Sequence, residues 1–351
     1  MKILITGISG FTGFNISSSL LKYSDNLQLF GIDNFSRNGS EQNISCLNEK
    51  GITTFRGDIR LQSDIDTLPQ VDWVIDCAAN PSVLAGLDGK STSRQLMEHN
   101  LLGTINLLEY CKRHRTGLIL LSTSRVYSAS ELAALPVVSS NNRYEISECE
   151  TAGVSSSGIS EGFPTSAPIS LYGATKLASE TLILEYGECF DFPVWINRCG
   201  VLAGAGQFGK ADQGIFSYWI HSFREKKPLQ YFGFNGTGHQ VRDALHPKDL
   251  VPLLSQQMME PNWNAPKIVN LGGGNENCMS LKELSSWCQD RFGENEVVAS
   301  NELRPMDAPW IVMDSTTAQN AWNWHVETKI EDILDEIAQH AEENATWLKF
   351  V

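Results

Sequence analysis

The feature that most constrains this chain is a glycine-rich turn near its start. The apolar run Lys2–Ile5 predicts a buried strand, glycines follow at positions 7, 10 and 13, and a helix with apolar residues at 16, 20 and 21 comes next. In such a turn the first glycine permits the tight bend, the second lets backbone approach a pyrophosphate, and the third lets helix pack close to strand. The free amides at the start of the helix attract an anion. The turn therefore predicts a dinucleotide-binding site.

An acidic residue at the end of the next apolar run makes this prediction more specific. Residues 28–32 predict a second strand, and Asp33 follows it at the distance from the last glycine where a ribose-binding acid is expected. A carboxylate there accepts both hydroxyls of an adenosine ribose and repels a 2′-phosphate, so the motif favours NAD over NADP. A second glycine cluster at 204–209 has no acid at the matching distance, and we interpret it as an ordinary turn.

Composition excludes several classes of protein. The formal net charge of −14 and the lack of a basic run argue against a nucleic-acid partner. No apolar run approaches the roughly 20 residues of a membrane span, and no signal peptide precedes the first strand, so no membrane partner is expected. The eight cysteines are scattered without a Cys-x-x-Cys pair, which indicates reduced thiols in a cytoplasmic protein. The seven histidines lack metal-ligand spacing, so no metal is expected.

The order of predicted elements indicates an α/β fold. Apolar runs at 53–56, 71–79, 118–121 and 193–198 predict further strands, with a long helix at 92–115, and such alternation is typical of a doubly wound parallel Rossmann sheet. We expect an NAD-binding domain over residues 1–197. A smaller, discontinuous substrate-binding region is expected over 198–351, from which segments around 240–272 return to the first domain. Helices are predicted at 213–225, from 280, and at 330–350, with a strand at 268–271.

The polar stretch 128–170 is long for a loop in a compact chain, which indicates a functional or mobile segment. Residues 131–138 within it predict a short helix. Directly after it, Tyr172 and Lys176 open a helix one turn apart and therefore on the same face. A tyrosine titrates near pH 10, but a nearby ammonium and a positive nicotinamide ring would lower that pKa, so that the phenolate could act as a base. The alternative is a buried tyrosine and a solvated lysine.

Six segments of the sequence carry a resemblance to a known family of enzymes. They are 33–37, 57–60, 122–127, the long segment before Tyr172, 212–214 and 240–243. With them the sequence resembles the extended short-chain dehydrogenase/reductase family, and within it the nucleotide-sugar epimerases, over almost the whole chain. The long segment and the Asp-Gln-Gly at 212–214 favour the 2-epimerases of CDP-dideoxyhexoses, because many relatives share the other motifs. The resemblance implies a homo-oligomer, either a dimer or a tetramer, through the helices at 92–115 and 173–190, and a role in lipopolysaccharide biosynthesis.

The resemblance also implies a role for each candidate residue. Thr123, Tyr172 and Lys176 take the catalytic hydroxyl, base and lysine roles. The residues implied to hold NAD are Gly7, Gly10, Phe11, Thr12, Gly13, Asp33, Asn34, Ser36, Arg37, Asp58, Ile59, Ala78, Ala79, Asn100, Ser122, Tyr172 and Lys176. Those implied to contact a nucleotide-diphosphate sugar are Ser124, Gln207, Asp212, Gln213, Arg242 and Arg304. Two alternatives stay open: each arginine could form a surface ion pair, and Asp58 could cap a helix.

Two departures from the family pattern bear on the reaction. Ser124 and Arg125 stand where related dehydratases carry Asp and Glu, so loss of water is not expected. Val201 stands where many relatives carry an asparagine, and it cannot donate a hydrogen bond from its side chain. The expected activity is epimerisation of a nucleotide sugar through a bound keto-sugar, at C2 of a CDP-dideoxyhexose. The alternatives are C4 epimerisation of a UDP-sugar, a simple dehydrogenase or reductase, and an NAD-binding sensor or scaffold without chemistry.

Overall fold

A computed structural model describes residues 1–350 except 24–25, 88, 90–91, 148–149, 211–212 and 301. The described strands are β1 (Lys2–Thr6), β2 (Gln28–Asp33), β3 (Thr53–Arg56), β4 (Trp73–Asp76), β5 (Gly117–Thr123), β6 (Val137–Ser140), β7 (Arg143–Ile146), β8 (Val154–Ser155), β9 (Gly158–Ile159), β10 (Val194–Cys199), β11 (Val201–Leu202), β12 (Leu229–Tyr231), β13 (Val241–Leu245), β14 (Ile268–Leu271), β15 (Cys278–Ser280), β16 (Val297–Ala299) and β17 (Trp310–Ile311). The α-helices are α1 (Phe11–Tyr23), α2 (Asn43–Glu49), α3 (Gln62–Ile65), α4 (Ser93–Met97), α5 (Gly103–His114), α6 (Ala129–Ala133), α7 (Leu171–Phe190), α8 (Ile215–Arg224), α9 (Val251–Met259), α10 (Leu281–Phe292), α11 (Thr316–Trp322) and α12 (Ile330–Glu343).

A seven-stranded sheet in the order β14-β10-β5-β4-β1-β2-β3 forms the centre, and its neighbouring strands pair in parallel. Helices cover both faces, so the strands are continuous apolar runs. Along β1, Ile3 and Ile5 pack with α1 and α9 on one face, and Leu4 packs with α5 on the other. The predicted α/β fold with a doubly wound parallel sheet is confirmed.

The strand order reverses between β1 and β4, because β2 and β3 lie on one side of β1 and the later strands on the other. Ligands of open α/β sheets bind outside the carboxyl ends of the strands at such a reversal. The glycine turn follows β1, and Ala78 and Ala79 follow β4. The topology therefore brings these two segments together at one edge of the sheet.

The later part of the chain forms a second core. A four-stranded sheet of β11, β13, β15 and β17 lies beside helices α8, α10 and α12, whose apolar side chains form one buried cluster. Between these pieces α9 packs on α1, and β14 joins the large sheet. Within the described residues no helix is long and apolar enough to cross a membrane, and the described cysteines are free thiols.

Three predicted helices differ from the structure. The predicted helix at 131–138 is wrong in its second half, where Pro136 disfavours helix at the residue before it and β6 begins at Val137. The helix at 92–115 is interrupted by one π-helical stretch, Glu98–Leu102. The last predicted helix, at 330–350, is too long, because α12 ends at Glu343 and residues 347–350 form a separate 3-10 turn.

The segment before Tyr172 is folded and joins the two cores. In its first hairpin, the amide of Tyr144 donates to the carbonyl of His239 at 2.9 Å. In its second part, the amide of Ile159 donates to the carbonyl of Val312 at 2.8 Å, and the carboxylate of Glu161 accepts the amide of Asn270 at 2.6 Å. These hydrogen bonds connect the later sheet to the large one. The segment therefore links the two cores before the chain enters the helix that carries Tyr172.

Candidate active site

The glycine turn forms a tight cradle at the start of α1. Gly7 has a φ of +61°, and a Cβ on Gly13 would lie 2.3 Å from the Gly7 carbonyl oxygen. Only glycine therefore lets the helix approach the turn this closely. The buried hydroxyl of Ser9 has no hydrogen-bond partner among the residues that the structure describes. Free amides, an unpartnered hydroxyl and the absent side chains fit a pyrophosphate at the helix start.

Asp33 is fixed at the carboxyl end of β2 by backbone amides. Its carboxylate accepts the amide of Ser9 at 3.0 Å and the amide of Phe35 at 2.8 Å. Burial raises the pKa of this carboxyl above the ordinary aspartate value, and the backbone hydrogen bonds oppose the shift. The carboxylate lines the same cavity as the glycine cradle, which is the geometry that recognition of a ribose requires.

Asp58 is held by side chains rather than by a helix. Arg60 donates to it through Nη2 at 2.6 Å, and the Asn34 amide donates at 2.9 Å. Burial raises its pKa, but the hydrogen bonds from Arg60 and Asn34 outweigh burial and lower the pKa to about 2. The alternative of a helix cap is wrong for Asp58, because α3 begins after Leu61.

Asn100 lies in the π-helical stretch and ties three elements together. Its side chain accepts the amide of Asn80 at 2.8 Å and donates to the Asn80 carbonyl and to the Thr175 hydroxyl, each at 3.1 Å. It is buried, and it does not line the cavity beside the glycine turn. Asn100 therefore supports the loop after β4 and the start of α7 from behind.

The cofactor cavity, as we call the cavity beside the glycine turn, has a volume of about 500 Å³. Most of the predicted cofactor residues line it: Gly7, Gly10, Phe11, Thr12, Gly13, Asp33, Asn34, Ser36, Arg37, Asp58, Ile59, Ala78 and Ala79. Arg37 donates to the carbonyl of Phe208, and Phe208 and Phe350 line the cavity from the later part of the chain. Sequence reasoning missed these two aromatic residues, for which no local pattern gives a signal.

Tyr172 lies in the first turn of α7, which Ser170 caps by accepting the amide of Gly173 at 3.0 Å. Thr123 at the end of β5 acts on the phenol by lowering its pKa, and the Thr123 hydroxyl accepts the amide of Arg125 at 3.2 Å. Strand and helix thus bring the predicted base and the predicted hydroxyl together. Both residues line a second cavity, which we call the substrate cavity.

The joint lowering of the Tyr172 pKa by Lys176 and a nicotinamide ring stays a prediction. Burial raises the pKa of Tyr172 to about 12, Thr123 and the charge of Arg125 act against burial, and Cys199 adds to the rise. The ammonium of Lys176 instead faces carboxylates. Burial lowers the pKa of Lys176, whereas Asp76 and Glu180 raise it.

Both carboxylates near Lys176 belong to buried hydrogen-bond networks. Asp76 accepts the Thr6 hydroxyl at 2.6 Å, and that hydroxyl accepts the amides of Cys77 and Ala78 after β4. Glu180 forms a buried ion pair with Arg198 at 2.6 Å and accepts the hydroxyl of Ser122. The hydroxyl of Ser122, a predicted cofactor contact, is therefore already engaged inside the protein.

The substrate cavity has a volume of about 540 Å³ and lies next to the cofactor cavity. Both cavities share the walls Thr12, Cys77, Ala79, Pro81, Gln207 and Gln213. The two cavities therefore meet at these six residues, which we call their junction, and Thr123 and Tyr172 line the substrate cavity beside it.

Three guanidinium groups and one carboxylate line the substrate cavity. Arg242 lines it and forms an ion pair with Asp307 at 2.8 Å, and its contact with a ligand stays a prediction. Arg125 and Arg304 line the same cavity. Burial and the charge of Arg242 lower the pKa of Arg125 to about 10, whereas Asp307 raises it. This excess of positive charge suits an anion such as a diphosphate.

The remaining predicted substrate residues are placed as follows. Ser124 lines the substrate cavity, as does Val201. Gln207 donates to the Leu202 carbonyl at 2.8 Å, and its buried side-chain oxygen lacks a hydrogen-bond partner within the described chain. Asp212 lies outside the described residues. Sequence reasoning missed Asp307, for which its position three residues after Arg304 was the available signal.

The chain is similar to curated nucleotide-sugar enzymes over nearly its whole length. It is 29% identical to a CDP-paratose 2-epimerase of Salmonella typhi, covering 95% of this chain and 96% of that relative. It is 25% identical to a UDP-glucuronate 4-epimerase of Thermodesulfobacterium geofontis, covering 99% and 98%. The fold is similar to that of a UDP-glucuronic acid 4-epimerase of Bacillus cereus, with a TM-score of 0.79, 24% identity and 98% and 99% coverage.

The sequence model of the NAD dependent epimerase/dehydratase family matches residues 3–272. The match begins in β1 and ends after β14, so it spans the large sheet, the glycine turn and Tyr172. It confirms the predicted resemblance and the predicted cofactor, which is NAD. Because these residues make up well over half of the sequence, the chain belongs to the NAD dependent epimerase/dehydratase family.

Proposed function

We propose that this enzyme is a nucleotide-sugar 2-epimerase that interconverts CDP-paratose and CDP-tyvelose. The observation that carries the proposal is the junction of the two cavities beside Thr123 and Tyr172. The similarity to a CDP-paratose 2-epimerase over 95% of the chain supports the choice of sugar and base. We further propose that the enzyme acts in the cytoplasm, in lipopolysaccharide biosynthesis.

The chain's own residues would provide binding, orientation and proton transfer. Thr123 orients the reacting sugar hydroxyl, and the Tyr172 oxygen removes its proton and later returns it. The guanidinium groups of Arg242 and Arg304 hold the diphosphate. The glycine turn and Asp33 would hold NAD, which would supply the redox chemistry as an acceptor and donor of hydride. The keto-sugar stays bound between these steps, and no net oxidation results.

The residues beside Thr123 support epimerisation over dehydration. Ser124 and Arg125 line the substrate cavity and carry no carboxyl group. Elimination of water needs an acid and a base at the sugar in addition to the tyrosine. A serine hydroxyl and a charged guanidinium cannot share these roles near neutral pH.

A second candidate activity is C4 epimerisation of a UDP-sugar. The similarity to a UDP-glucuronate 4-epimerase over 99% of the chain favours it. Both activities use the same proton and hydride transfers, and they differ in the base and in the carbon that faces the junction. A sensor or scaffold without chemistry is disfavoured, because Tyr172 and Thr123 line the same large cavity.

The test is to incubate the purified protein with CDP-, UDP-, GDP- and dTDP-sugars in deuterated water and to follow the products by NMR. We expect inversion at C2 of CDP-paratose, with hydrogen retained at that carbon and no net NADH. Inversion at C4 of a UDP-sugar would support the second candidate. Deuterium at the inverted carbon, or stoichiometric NADH, would contradict the mechanism.

The oligomeric state remains a prediction of a dimer or tetramer. The helices α5 and α7 pack against each other, and Leu102 and Phe190 beside them are each more than a third exposed. Apolar side chains at that face are compatible with a contact between copies. Light scattering of the purified protein checks the prediction, and a monomer at micromolar concentration would contradict it.

A further inference from the structure

The glycine cluster at 204–209, which the sequence suggests is an ordinary turn, forms part of the wall of both cavities. Gln207 lines the cofactor cavity and the substrate cavity, and Phe208 lines the cofactor cavity. The side chain of Arg37, in the loop after β2, donates to the carbonyl of Phe208. The cluster therefore reaches from the junction of the two cavities to the loop that follows Asp33, the predicted ribose-binding acid.

The 3-10 turn Trp347–Phe350, which we call the aromatic turn, packs on this glycine cluster. The indole nitrogen of Trp347 donates to the carbonyl of Gln207 at 3.0 Å, and the indole stacks on the ring of Phe208 with centroids 4.8 Å apart. The ring centroid of Phe350 lies 5.7 Å from that of Trp347, and Phe350 lines the cofactor cavity. The aromatic turn thus places Phe350 at the same cavity as Phe208.

Gly39 shows where along the cofactor cavity these two phenylalanine rings lie. It belongs to the loop that follows Asp33, and a Cβ built on it would lie 2.9 Å from a ring carbon of Phe208 and 2.9 Å from one of Phe350. The acid after the second strand faces the adenosine half of a dinucleotide, whereas the nicotinamide half must reach the junction beside Tyr172. Both phenylalanine rings therefore lie on the adenosine side of the cavity.

We propose that Phe350 is a binding residue for the adenosine half of NAD, with its ring packed against the adenine base. A purine and a phenyl ring both present flat apolar faces, and packing one on the other removes these faces from water. Phe208 is buried, whereas Phe350 is only partly buried and so has ring surface left for a ligand. The proposal rests on the cofactor and not on the identity of the sugar.

The test measures the binding of three probes to the full chain, freed of bound nucleotide, by calorimetry. AMP represents the adenosine half of NAD, nicotinamide mononucleotide represents the other half, and CDP reports on the substrate cavity. Phe350→Ala removes the ring and Phe350→Tyr keeps it. Lys349→Ala, at an exposed residue of the same turn that is not among the residues lining either cavity, is the matched control.

We expect Phe350→Ala to weaken AMP binding about tenfold, because the contact between the base and an aromatic ring is lost. Binding of nicotinamide mononucleotide and of CDP should stay close to wild type in this variant, because neither probe carries a group that reaches the adenosine side. Phe350→Tyr and Lys349→Ala should bind all three probes as the wild type does.

A substitution in the loop after Asp33 tests the same wall without changing the aromatic turn. In Gly39→Ala the added methyl group would press on both phenylalanine rings. Gly51→Ala is the control, because Gly39 and Gly51 have similar φ angles of +84° and +79°, and a Cβ on Gly51 meets no described atom beyond its chain neighbours within 4 Å. We expect weaker AMP binding in Gly39→Ala and unchanged AMP binding in Gly51→Ala.

Unchanged AMP binding in Phe350→Ala would overturn the proposal. An equal loss of affinity for nicotinamide mononucleotide would also overturn it, because a distorted cavity rather than a lost adenine contact would then be the cause. A loss in Gly51→Ala as large as that in Gly39→Ala would count against it for the same reason. If AMP binding weakens as expected but no nucleotide sugar is epimerised, the proposed function fails and the role of Phe350 stands.

Discussion

The cofactor cavity and the substrate cavity share a wall but are built in different ways. The cofactor cavity takes most of its lining from the first 100 residues, with the polar groups fixed by nearby backbone amides, as at Asp33. Most of the substrate cavity is assembled from segments spread over residues 121–307, and its charges are set by contacts such as that between Arg242 and Asp307. Segments close together in the sequence therefore form most of the cofactor cavity, whereas contacts between distant segments form the cavity proposed to select the substrate.

If this contrast holds, changes can be made that affect one cavity and spare the other. The largest effect should come at their junction. Tyr172→Phe removes the only ionisable atom of the proposed base while the ring still fills its buried site. We expect turnover to fall about 10³-fold, as loss of general acid-base catalysis does, with the NAD dissociation constant unchanged. NMR progress curves and calorimetry measure these two quantities.

Tyr186→Phe is the matched control for this change. Tyr186 lies on the same helix, donates to Glu109 at 2.9 Å and does not line either cavity. Turnover should stay near wild type in this variant. Near-normal turnover in Tyr172→Phe would refute the role of Tyr172.

The second-largest effect is expected from Gly13→Ala, and it should be confined to binding in the cofactor cavity. Gly13→Ala places a methyl group 2.3 Å from the Gly7 carbonyl oxygen, which forces the cradle open. We expect NAD affinity to fall at least about tenfold, or roughly 1.4 kcal/mol, with binding of CDP to the substrate cavity preserved. Calorimetry with each ligand measures both, and Gly162→Ala, where the nearest atom would be 3.6 Å away, is the control. Equal losses of affinity for NAD and for CDP would contradict the separation between the two cavities.

For Arg242→Gln we expect weaker binding in the substrate cavity and unchanged binding in the cofactor cavity. This change removes a charged donor from the substrate cavity and leaves the Asp307 carboxylate without its ion pair. We expect KM for the nucleotide sugar to rise about tenfold while NAD affinity stays the same, since a hydrogen bond to a charged group contributes about 1.5–3 kcal/mol. Arg291→Gln, at an exposed ion pair with Glu342, should leave both unchanged. Weakened NAD binding in Arg242→Gln would contradict the separation.

The smallest effect should distinguish two acids within the cofactor cavity. Burial raises the pKa of Asp33, whereas hydrogen bonds from Arg60 and Asn34 outweigh burial at Asp58 and bring its pKa to about 2. As pH falls, Asp33 therefore takes up its proton first and loses its capacity to accept both ribose hydroxyls. We expect NAD affinity to fall about threefold between pH 7 and pH 5. Asp33→Asn should bind NAD weakly without this pH dependence, and an undiminished slope in that variant would assign the effect elsewhere.

The contrast also explains how much can be predicted from sequence. The glycine turn, the strand after it and Asp33 are local in the chain, so spacing alone is sufficient to predict the fold class and the cofactor. The structure places Thr123 and Tyr172 together, as expected from a strand end and a helix start at the same edge of a parallel sheet. These features depend on periodicity and topology, which a sequence carries directly.

Other features depend on contacts that no local pattern records. The π-helical stretch that carries Asn100 differs from an α-helix by one residue per turn and leaves the apolar spacing almost intact. Asp307 acquires its role from Arg242, which is far away in the sequence. The one-turn spacing predicts that Lys176 lies near Tyr172, but it does not predict that Asp76 and Glu180 act on the Lys176 ammonium.

The aromatic turn at residues 347–350 has a practical consequence. Phe350 lines the cofactor cavity, and Trp347 stacks on Phe208 with ring centroids 4.8 Å apart. Substitutions in this turn would therefore change a wall of the cofactor cavity, and they should be avoided when variants elsewhere in the chain are compared.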